Sequence, residues 1–256
     1  MNLPPLRSGD GCGNSFVLVA MTDLQGGPWE SAALWPALAQ RACAQGVDGL
    51  LMLGEEQADG ALPVRIVNRD GSDGGACLNG LRVAACAGGR ARGVFLMAGR
   101  RVPWRREAAG VFTLDLGSLA EARLRPVSVA GRDGVAVDFW NPHVVFAVGE
   151  PGDFPLSDLA AACAARPDFF PQGVNVEIVN DWGADPLRAR VCERGVGETL
   201  ACGSGAVAVA LAAWQRGRQG PLAVRMPGGI LRLRRTLDGF VELAGEAGVS
   251  DLFVNT

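Results

Sequence analysis

Apolar residues in this chain occur mainly as short runs bounded by Gly, Pro or Asp. Runs of this length with several β-branched residues predict strands, which we place at residues 17–21, 50–53, 64–67 and 112–116. Residues 30–45 have the apolar spacing of a helix, with Pro36 inside it. The mixture of strands and helices indicates an α/β fold.

Two further segments predict helices that are apolar over most of their surface. One begins at about Leu78 and the other near Gly203, and each is rich in Ala and follows a Gly-rich turn with acidic residues. A helix without a polar face is a buried helix. We therefore expect each of these two helices to lie at the centre of a domain.

The two helical segments also resemble each other. When residues 67–83 are laid over residues 192–208, Cys77 meets Cys202 and Gly80 meets Gly205, an offset of 125 residues (202 − 77). The segments GNSFVLV (13–19) and WNPHVVF (140–146) repeat at nearly the same offset. An internal duplication accounts for both repeats. It predicts two similar domains facing each other, each with one cysteine at the start of its central helix.

Composition and charge exclude several classes of partner. The net charge of the 256 residues is −3, and no basic run or aromatic-basic alternation predicts a nucleic-acid partner. No apolar stretch approaches the roughly 20 residues that a membrane span needs, so we expect no membrane partner. The N-terminus lacks the pattern of a secretory signal, which favours a cytoplasmic protein.

The reactive residue types are few. The seven cysteines are odd in number and form no C-x-x-C pair, so we expect reduced thiols rather than a disulfide framework. All 24 basic residues are Arg, which leaves no lysine to hold pyridoxal phosphate as a Schiff base. The one histidine, His143, excludes a His-rich metal site, and the cysteine spacings do not favour a thiolate zinc site. We expect no cofactor and no metal.

A cysteine at a helix N-terminus lies beside unpaired N–H donors and the positive end of the helix dipole. This placement lowers a cysteine pKa from about 8.5 toward neutrality, which would make the thiol a competent base. The backbone N–H groups that follow could hold a carboxylate. Two such helix ends would put one sulfur on each side of an α-carbon, so that one thiolate removes the α-proton and the other thiol returns one.

The cysteine segments resemble the two signatures of diaminopimelate epimerases. ERGVGETLACGSGA (193–206) resembles the second signature and RIVNRDGSDGGACLNGLR (65–82) the first. GNSF (13–16), NPHVVF (141–146) and VNV (174–176) match the remaining blocks in order, so the resemblance covers nearly the whole chain.

The resemblance implies an α/β (α+β) fold of two pseudo-symmetric domains. Each domain would be a β-barrel-like sheet wrapped around a central helix. The domains would comprise residues 1–117 with 247–256, and residues 118–246. The implied reaction interconverts LL- and meso-diaminopimelate, in lysine and peptidoglycan synthesis, without a cofactor and in a homodimer. Cys77 and Cys202 match the two catalytic cysteines.

The resemblance also assigns the substrate-binding positions. Asn68, Asn175 and Arg194 match residues that hold the distal end of the substrate, Glu193 would receive the reacting ammonium, and His143 and Glu193 would orient the site. The remaining matches to binding positions, including the backbone amides of the second helix start, are Asn14, Leu78, Asn79, Asn141, Gly203 and Ser204. From the residues alone, Asn68 could instead be a turn residue and His143 a structural one.

The first signature departs from the family pattern at two positions. The family sequence is Cys-Gly-Asn-Gly-Ala-Arg, and here Leu78 and Leu81 replace two of its small residues, the first Gly and the Ala. A side chain at position 78 could crowd the approach to the substrate. Three alternatives therefore stay open beside the epimerase: a related racemase of another amino acid such as histidine, a non-catalytic amino-acid-binding protein, and a thiol-redox protein.

Overall fold

The computed structural model describes residues 4, 6–44, 46–68 and 70–251, with the side chains of residues 29 and 251 left out. The chain divides into two compact units. Unit 1 comprises residues 1–115 with 245–256, and unit 2 comprises residues 116–244. Of the segment 247–256 that we assigned to the first domain, residues 252–256 lie outside the described part.

Unit 1 contains one sheet, with strands numbered along the whole chain. Its strands are β1 (Arg7–Gly11), β2 (Asn14–Ala20), β3 (Gly49–Leu53), β4 (Ala61–Asn68), β5 (Arg92–Met97), β6 (Arg100–Ala108), β7 (Val111–Ser118) and β17 (Gly248–Asp251). They lie side by side in the order β17-β1-β2-β3-β4-β5-β6-β7. The pairs β2/β3 and β4/β5 are parallel, and the other neighbours are antiparallel.

Two α-helices complete unit 1. Helix α2 (Leu78–Gly88) contacts β17 and β1 to β6, so the sheet wraps around it. Glycine in β1 allows this close packing, because a Cβ atom at Gly9 would lie 2.3 Å from Cγ1 of Val83. Helix α1 (Trp35–Cys43) packs against β2, β3 and β4, where Leu38 and neighbouring apolar side chains form a buried cluster.

Unit 2 is built in the same way. Its strands are β8 (Arg123–Val129), β9 (Arg132–Phe139), β10 (Asn141–Gly149), β11 (Asn175–Asn180), β12 (Leu187–Glu193), β13 (Gly197–Thr199), β14 (Leu222–Met226), β15 (Gly229–Arg235) and β16 (Phe240–Glu246). The order is β8-β9-β10-β11-β12-β14-β15-β16, and the short β13 pairs with the end of β12. Here β10/β11 and β12/β14 are the parallel pairs.

The central helix of unit 2 is α4 (Gly203–Gln215), which contacts β9 to β12, β14 and β15. Every residue of α4 except Gln215 is buried. Burial of a side chain such as Leu211 contributes about 1.5–3 kcal/mol, so packing stabilises this Ala- and Val-rich helix. Helix α3 (Leu156–Ala164) packs against β11 and β12, and its buried residues Leu156, Leu159 and Cys163 belong to an apolar cluster.

The two units therefore share one succession of strand pairings and helices. In each unit, one helix connects the two strands of the first parallel pair, and the central helix lies between the two strands of the second parallel pair along the chain. Helix α2 corresponds to α4, strand β2 to β10, and β3 to β11. The predicted fold class, a sheet wrapped around a central helix in each of two similar halves, is confirmed.

The predicted elements agree with the structure except at one helix. All four predicted runs lie in strands, although Met21 already begins a 3-10 helix. The helix predicted over residues 30–45 is wrong at its start, because 3-10 turns occupy Pro28–Glu30 and Ala32–Leu34 and the α-helix begins at Trp35. Pro36 explains this: proline lacks the N–H that an inner helix position donates, and it fits the first turn.

Candidate active site

In unit 1, Cys77 is the N-cap residue of α2. Its backbone is extended (φ −132°, ψ 102°), and its Sγ accepts a hydrogen bond from the N–H of Gly80 at 3.4 Å. The backbone N–H of Cys77 donates to Sδ of Met97 at 3.3 Å. The thiol is partly exposed. It thus lies at the N-terminus of the central helix, as the sequence predicts.

Two asparagines connect the Cys77 thiol to neighbouring polar groups. Asn14 Nδ2 donates to Asp48 Oδ2 at 2.8 Å, which turns Oδ1 of Asn14 toward Cys77 Sγ (3.8 Å) and Asn79 Nδ2 (3.4 Å). Oδ1 of Asn79 in turn accepts from Arg82 at 2.9 Å. The predicted positions Asn14, Cys77 and Asn79 are therefore brought together.

Arg82 is a fully buried cation one turn into α2. Its guanidinium donates to the Leu78 carbonyl at 3.3 Å and to Cys12 Sγ at 3.6 Å, and its Nε has no partner among the described residues. Burial lowers the pKa of Arg82, and attraction to Cys12 and Cys77 opposes that shift. The site in unit 1 therefore contains a positive charge that the sequence does not predict.

In unit 2, Cys202 repeats the geometry of Cys77. It is the N-cap of α4 (φ −126°, ψ 118°), its Sγ accepts from the N–H of Gly205 at 3.4 Å, and its own N–H donates to Sδ of Met226 at 3.4 Å. The thiol is 7% exposed. Beyond it, the N–H groups of Gly203 and Ser204 in the first turn have no partner inside the helix and are available to an anion.

A row of hydrogen bonds leads from Cys202 into the interior of unit 2. Cys202 Sγ lies 3.4 Å from Ser204 Oγ, which lies 3.0 Å from His143 Nε2. His143 Nδ1 lies 2.8 Å from Glu177 Oε1, and both of these side chains are buried. Asn141 Nδ2 also donates to Ser204 Oγ, at 3.3 Å. Both nitrogens of the one histidine are therefore engaged in the site.

Glu193 lies beside the same thiol. Its Oε1 accepts from Thr199 Oγ1 at 2.6 Å, and its carboxylate also accepts from Cys202. Burial raises the pKa of Glu193, and the two hydrogen bonds oppose that rise.

The expectation that a helix N-terminus lowers the cysteine pKa is wrong for Cys202. Burial raises the pKa of this thiol well above its usual value, and repulsion from Glu193 and Glu177 adds to the rise. Hydrogen bonds that Ser204 and the Gly205 N–H donate to the thiolate form act in the opposite direction and are outweighed. Desolvation of a thiolate among carboxylates is the larger effect here.

The residues expected at the distal end of the substrate are placed as follows. In unit 2, Asn175 Oδ1 accepts from the N–H of Arg194 at 2.9 Å, and its Nδ2 donates to the Pro142 carbonyl at 3.0 Å. The exposed Arg194 side chain donates to the Gln172 carbonyl. In unit 1, Asn68 ends β4 and donates to Ser72 Oγ at 3.0 Å within a turn.

The two leucines of the first signature are buried. Leu78 is 2% exposed and Leu81 is fully buried, so each side chain packs against protein.

Among the described residues, no three His, Cys, Asp or Glu side chains cluster as metal ligands would. No helix in the described part combines the length and the apolar character that crossing a bilayer requires.

Several residues of the site were not anticipated. Met97 and Met226 end the strands that follow the two central helices, and each sulfur accepts the N–H of a cysteine. Arg82 lies near the first cysteine and donates to Cys12. Glu177 is the clearest omission, since a carboxylate in the fully buried strand NVEIVN is itself a signal of function.

Several known proteins resemble this chain over most of its length. The family model described as diaminopimelate epimerase matches residues 135–247. A diaminopimelate epimerase from Erythrobacter litoralis is 35% identical and covers 94% of this chain and 93% of its own. One from Synechococcus is 37% identical and covers 88% of each chain. Among solved structures, a predicted epimerase from Pseudomonas aeruginosa has a TM-score of 0.72 at 15% identity, covering 98% of this chain and 100% of its own, which shows the shared fold.

Proposed function

The chain belongs to the diaminopimelate epimerase family, and we propose on this premise that it interconverts LL- and meso-diaminopimelate. The reaction inverts one α-carbon and makes the protein an isomerase that works without pyridoxal phosphate. The observation that carries the proposal is the repeated cysteine geometry. Each unit presents one thiol as the N-cap of its central helix. In both, the cysteine Sγ accepts a hydrogen bond from the N–H of the glycine three residues later.

The proposed mechanism uses two bases. One thiolate removes the α-proton, the electron pair stays on the α-carbon next to the carboxylate, and the other thiol delivers a proton to the opposite face. The mechanism requires the two sulfurs to reach opposite faces of that carbon. The free N–H groups at the start of α4, from Gly203 and Ser204, would hold the α-carboxylate and stabilise the charge that develops on it.

The chemistry of the two thiols suggests a direction for each. Because burial and two carboxylates raise the pKa of Cys202, this residue enters the reaction as a protonated acid. Cys77 then removes the proton from the LL isomer, and Cys202 supplies the new α-proton of the meso isomer. Glu193 would accept the reacting ammonium, and Asn68, Asn175 and Arg194 would bind the distal end, where the Arg fork suits a carboxylate.

The same premise extends to the setting of the enzyme. We propose that it acts in lysine biosynthesis, in the cytoplasm and as a homodimer, supported by the family resemblance. Light scattering of the purified protein would test the dimer, with a mass near the 26.6 kDa of one chain as the contrary result.

Proton NMR in deuterium oxide tests the reaction itself. Reduced enzyme with LL-diaminopimelate should lose the α-proton signal of the substrate and form the meso isomer. Cys77→Ala and Cys202→Ala should each lower the rate of isomer formation at least about a thousandfold, because removal of either acid or base breaks the two-step transfer.

Other cysteines and substrates provide the controls. Cys163→Ala, which changes a buried thiol among the apolar residues of α3, should retain full activity. L-histidine and L-glutamate should not exchange. If one of them exchanges while diaminopimelate does not, the two-base chemistry stands and the substrate assignment is wrong.

A further inference from the structure

The proposed mechanism leaves one question about unit 2. A buried thiol among carboxylates resists ionisation, yet Cys202 must be a thiolate whenever it removes a proton from the meso isomer. A thiolate can form inside the protein at low cost only if the proton moves to a nearby base and the resulting charge is paired. The row of side chains from Cys202 to Glu177 has the order and spacing for such a transfer.

One set of proton positions satisfies every contact in this row. If Glu177 is a carboxylate, His143 carries its proton on Nδ1 and donates it to Oε1 over 2.8 Å. His143 Nε2 then accepts from the Ser204 hydroxyl over 3.0 Å, and Ser204 Oγ can accept the Cys202 thiol proton over 3.4 Å. The Glu193 carboxylate, which also accepts from Cys202, competes for this proton. Each donor thus meets an acceptor, from the thiol to the carboxylate.

In unit 1, the positions that correspond to His143 and Glu177 are apolar. His143 is the third residue of β10 and pairs with Asn175, whereas Phe16 is the third residue of β2 and pairs with Gly49. A Cβ atom at Gly205 would lie 2.6 Å from Glu177 Oε1, and a Cβ atom at Gly80 would lie 3.2 Å from Leu51 Cδ1. Glu177 and Leu51 therefore occupy the same place against the central helix of their own units.

We propose, building on the proposed function, that Glu177 is a positioning residue that keeps the proton on His143 Nδ1, so that Cys202 loses its proton through an internal path. The thiol proton passes from Sγ to Ser204 Oγ while the Ser204 hydroxyl proton passes to His143 Nε2. The products are a thiolate and an imidazolium, and the imidazolium is paired with the Glu177 carboxylate. No proton leaves the protein, and the total charge is unchanged.

The second oxygen of Glu177 supports a functional role for this carboxylate. Glu177 is fully buried, and its Oε2 has no hydrogen-bond partner among the described residues. An orphaned carboxylate oxygen in an interior destabilises the fold. Leu51 shows that the fold accepts an apolar side chain at the equivalent place. The carboxylate is therefore explained by chemistry at His143 rather than by packing.

The single histidine allows a direct test without substrate. Protein labelled with ¹⁵N-histidine gives one pair of ring nitrogen signals, all from His143. In the wild type we expect Nδ1 to be protonated. A wild-type spectrum with a bare Nδ1 and a protonated Nε2 would place the proton on Glu177 and overturn the proposal, whether or not the protein is an epimerase.

Glu177→Gln tests the functional consequence. Because glutamine carries no charge to pair with an imidazolium, we expect the protonated Nδ1 signal to decrease and kcat to fall about 10- to 100-fold, with KM changed less than about threefold. Glu242→Gln is the matched control, since Glu242 is a buried carboxylate of unit 2 that pairs with Arg234. Its kcat should stay within twofold of the wild type.

Three results would contradict the proposal. Glu177→Gln could retain the wild-type kcat, it could lose kcat without any change at His143, or both variants could lose kcat in proportion to a lower Tm. If instead the wild type epimerises nothing, the proposed function is wrong, and the His143 spectrum still decides on the proton position.

Discussion

At the scale of single residues, the same side chain has different surroundings in the two units. Cys202 lies near Glu193 and Glu177, and repulsion from these carboxylates raises the pKa of its thiol further than burial alone. Cys77 lies near the buried cation of Arg82, which it helps to stabilise. With similar backbone geometry, one thiol therefore has negatively charged neighbours and the other a positively charged one, which suits an acid in one unit and a base in the other.

Cys163 provides a prediction about pH and stability. Burial raises its pKa from the ordinary 9.0 to about 11. Between these values the unfolded chain has released this proton and the folded protein has kept it, so the free energy of unfolding must fall as pH rises from 9 to 11, by up to about 2 kcal/mol. Below pH 9 the contribution is fully present.

Denaturant unfolding at several pH values checks this prediction. The chain has no Tyr and no Lys, so cysteines are the side chains that titrate in this range. Cys163→Ala should flatten the dependence of the unfolding free energy on pH relative to the wild type. An equal slope in wild type and Cys163→Ala would show that this thiol does not titrate as described.

The sequence predicts some of these residues and not others, for a physical reason. Cys77 and Cys202 are recognisable because a Gly-rich turn before an apolar helix defines an N-cap. Glu177 is not, because its role depends on His143 from the neighbouring parallel strand, 34 residues away along the chain. The pKa of Cys202 also depends on its burial and on its distances from Glu193 and Glu177. The sequence therefore predicts the effect of the helix dipole on this pKa but misses the larger effect of desolvation.

At the scale of elements, the third helical position differs between the central helices. A Cβ atom at Gly205 of α4 would lie 2.6 Å from Glu177 Oε1, a carboxylate that His143 holds in place. A Cβ atom at Gly80 of α2 would contact the terminal methyl groups of Ile66 and Leu51 at 3.0 and 3.2 Å. We expect Gly205→Ala to destabilise the protein by about 1–3 kcal/mol, because Glu177 must leave its hydrogen bond.

Gly80→Ala is the matched comparison. The Cβ atom of alanine at position 80 causes less strain, and the better helix propensity of alanine offsets part of that strain. The unfolding free energy of Gly80→Ala should therefore stay within about 1 kcal/mol of the wild-type value. Thermal or urea unfolding of both variants provides the measurement. Equal destabilisation by the two substitutions would contradict the tight packing of Glu177 against α4.

The elements that the sequence predicts are those with continuous apolar runs. Strands β2, β3, β4 and β7 and the two central helices have such runs, which indicate burial on both sides or all round. Strand β6, with the sequence RRVPWRREA, was not among them, because only one of its faces is buried and its arginines interrupt the apolar run. The start of α1 depended on the position of Pro36 within the first turn, which the apolar spacing does not reveal.

At the scale of the whole molecule, the duplication is more complete in the structure than in the sequence. Two short segments suggest the repeat, yet eight strands in each unit follow one another with the same parallel and antiparallel neighbours. Strand pairing tolerates many side chains as long as the buried face stays apolar, so most of the repeat has no trace in residue identities. Only positions with one chemical solution, such as the cysteine N-caps, keep their identity.

The sheet of unit 1 includes a strand from the end of the chain. The first strand of its sheet is β17, which pairs with β1 through Arg7↔Asp251, Ser8↔Ser250 and Gly9↔Val249 and also contacts α2. Deletion of residues 248–256 should therefore remove the cover of β1 and destabilise unit 1 by about 2–4 kcal/mol, at about 1 kcal/mol for each lost hydrogen bond. Hydrogen exchange should accelerate in β1 and α2 while β8 to β10 of unit 2 stay protected.

A variant that lacks only residues 252–256 keeps β17 and is the control. Its amides should exchange like those of the full chain. If both deletions exchange alike, the pairing of β17 contributes nothing to unit 1, and its fold is complete without the last strand.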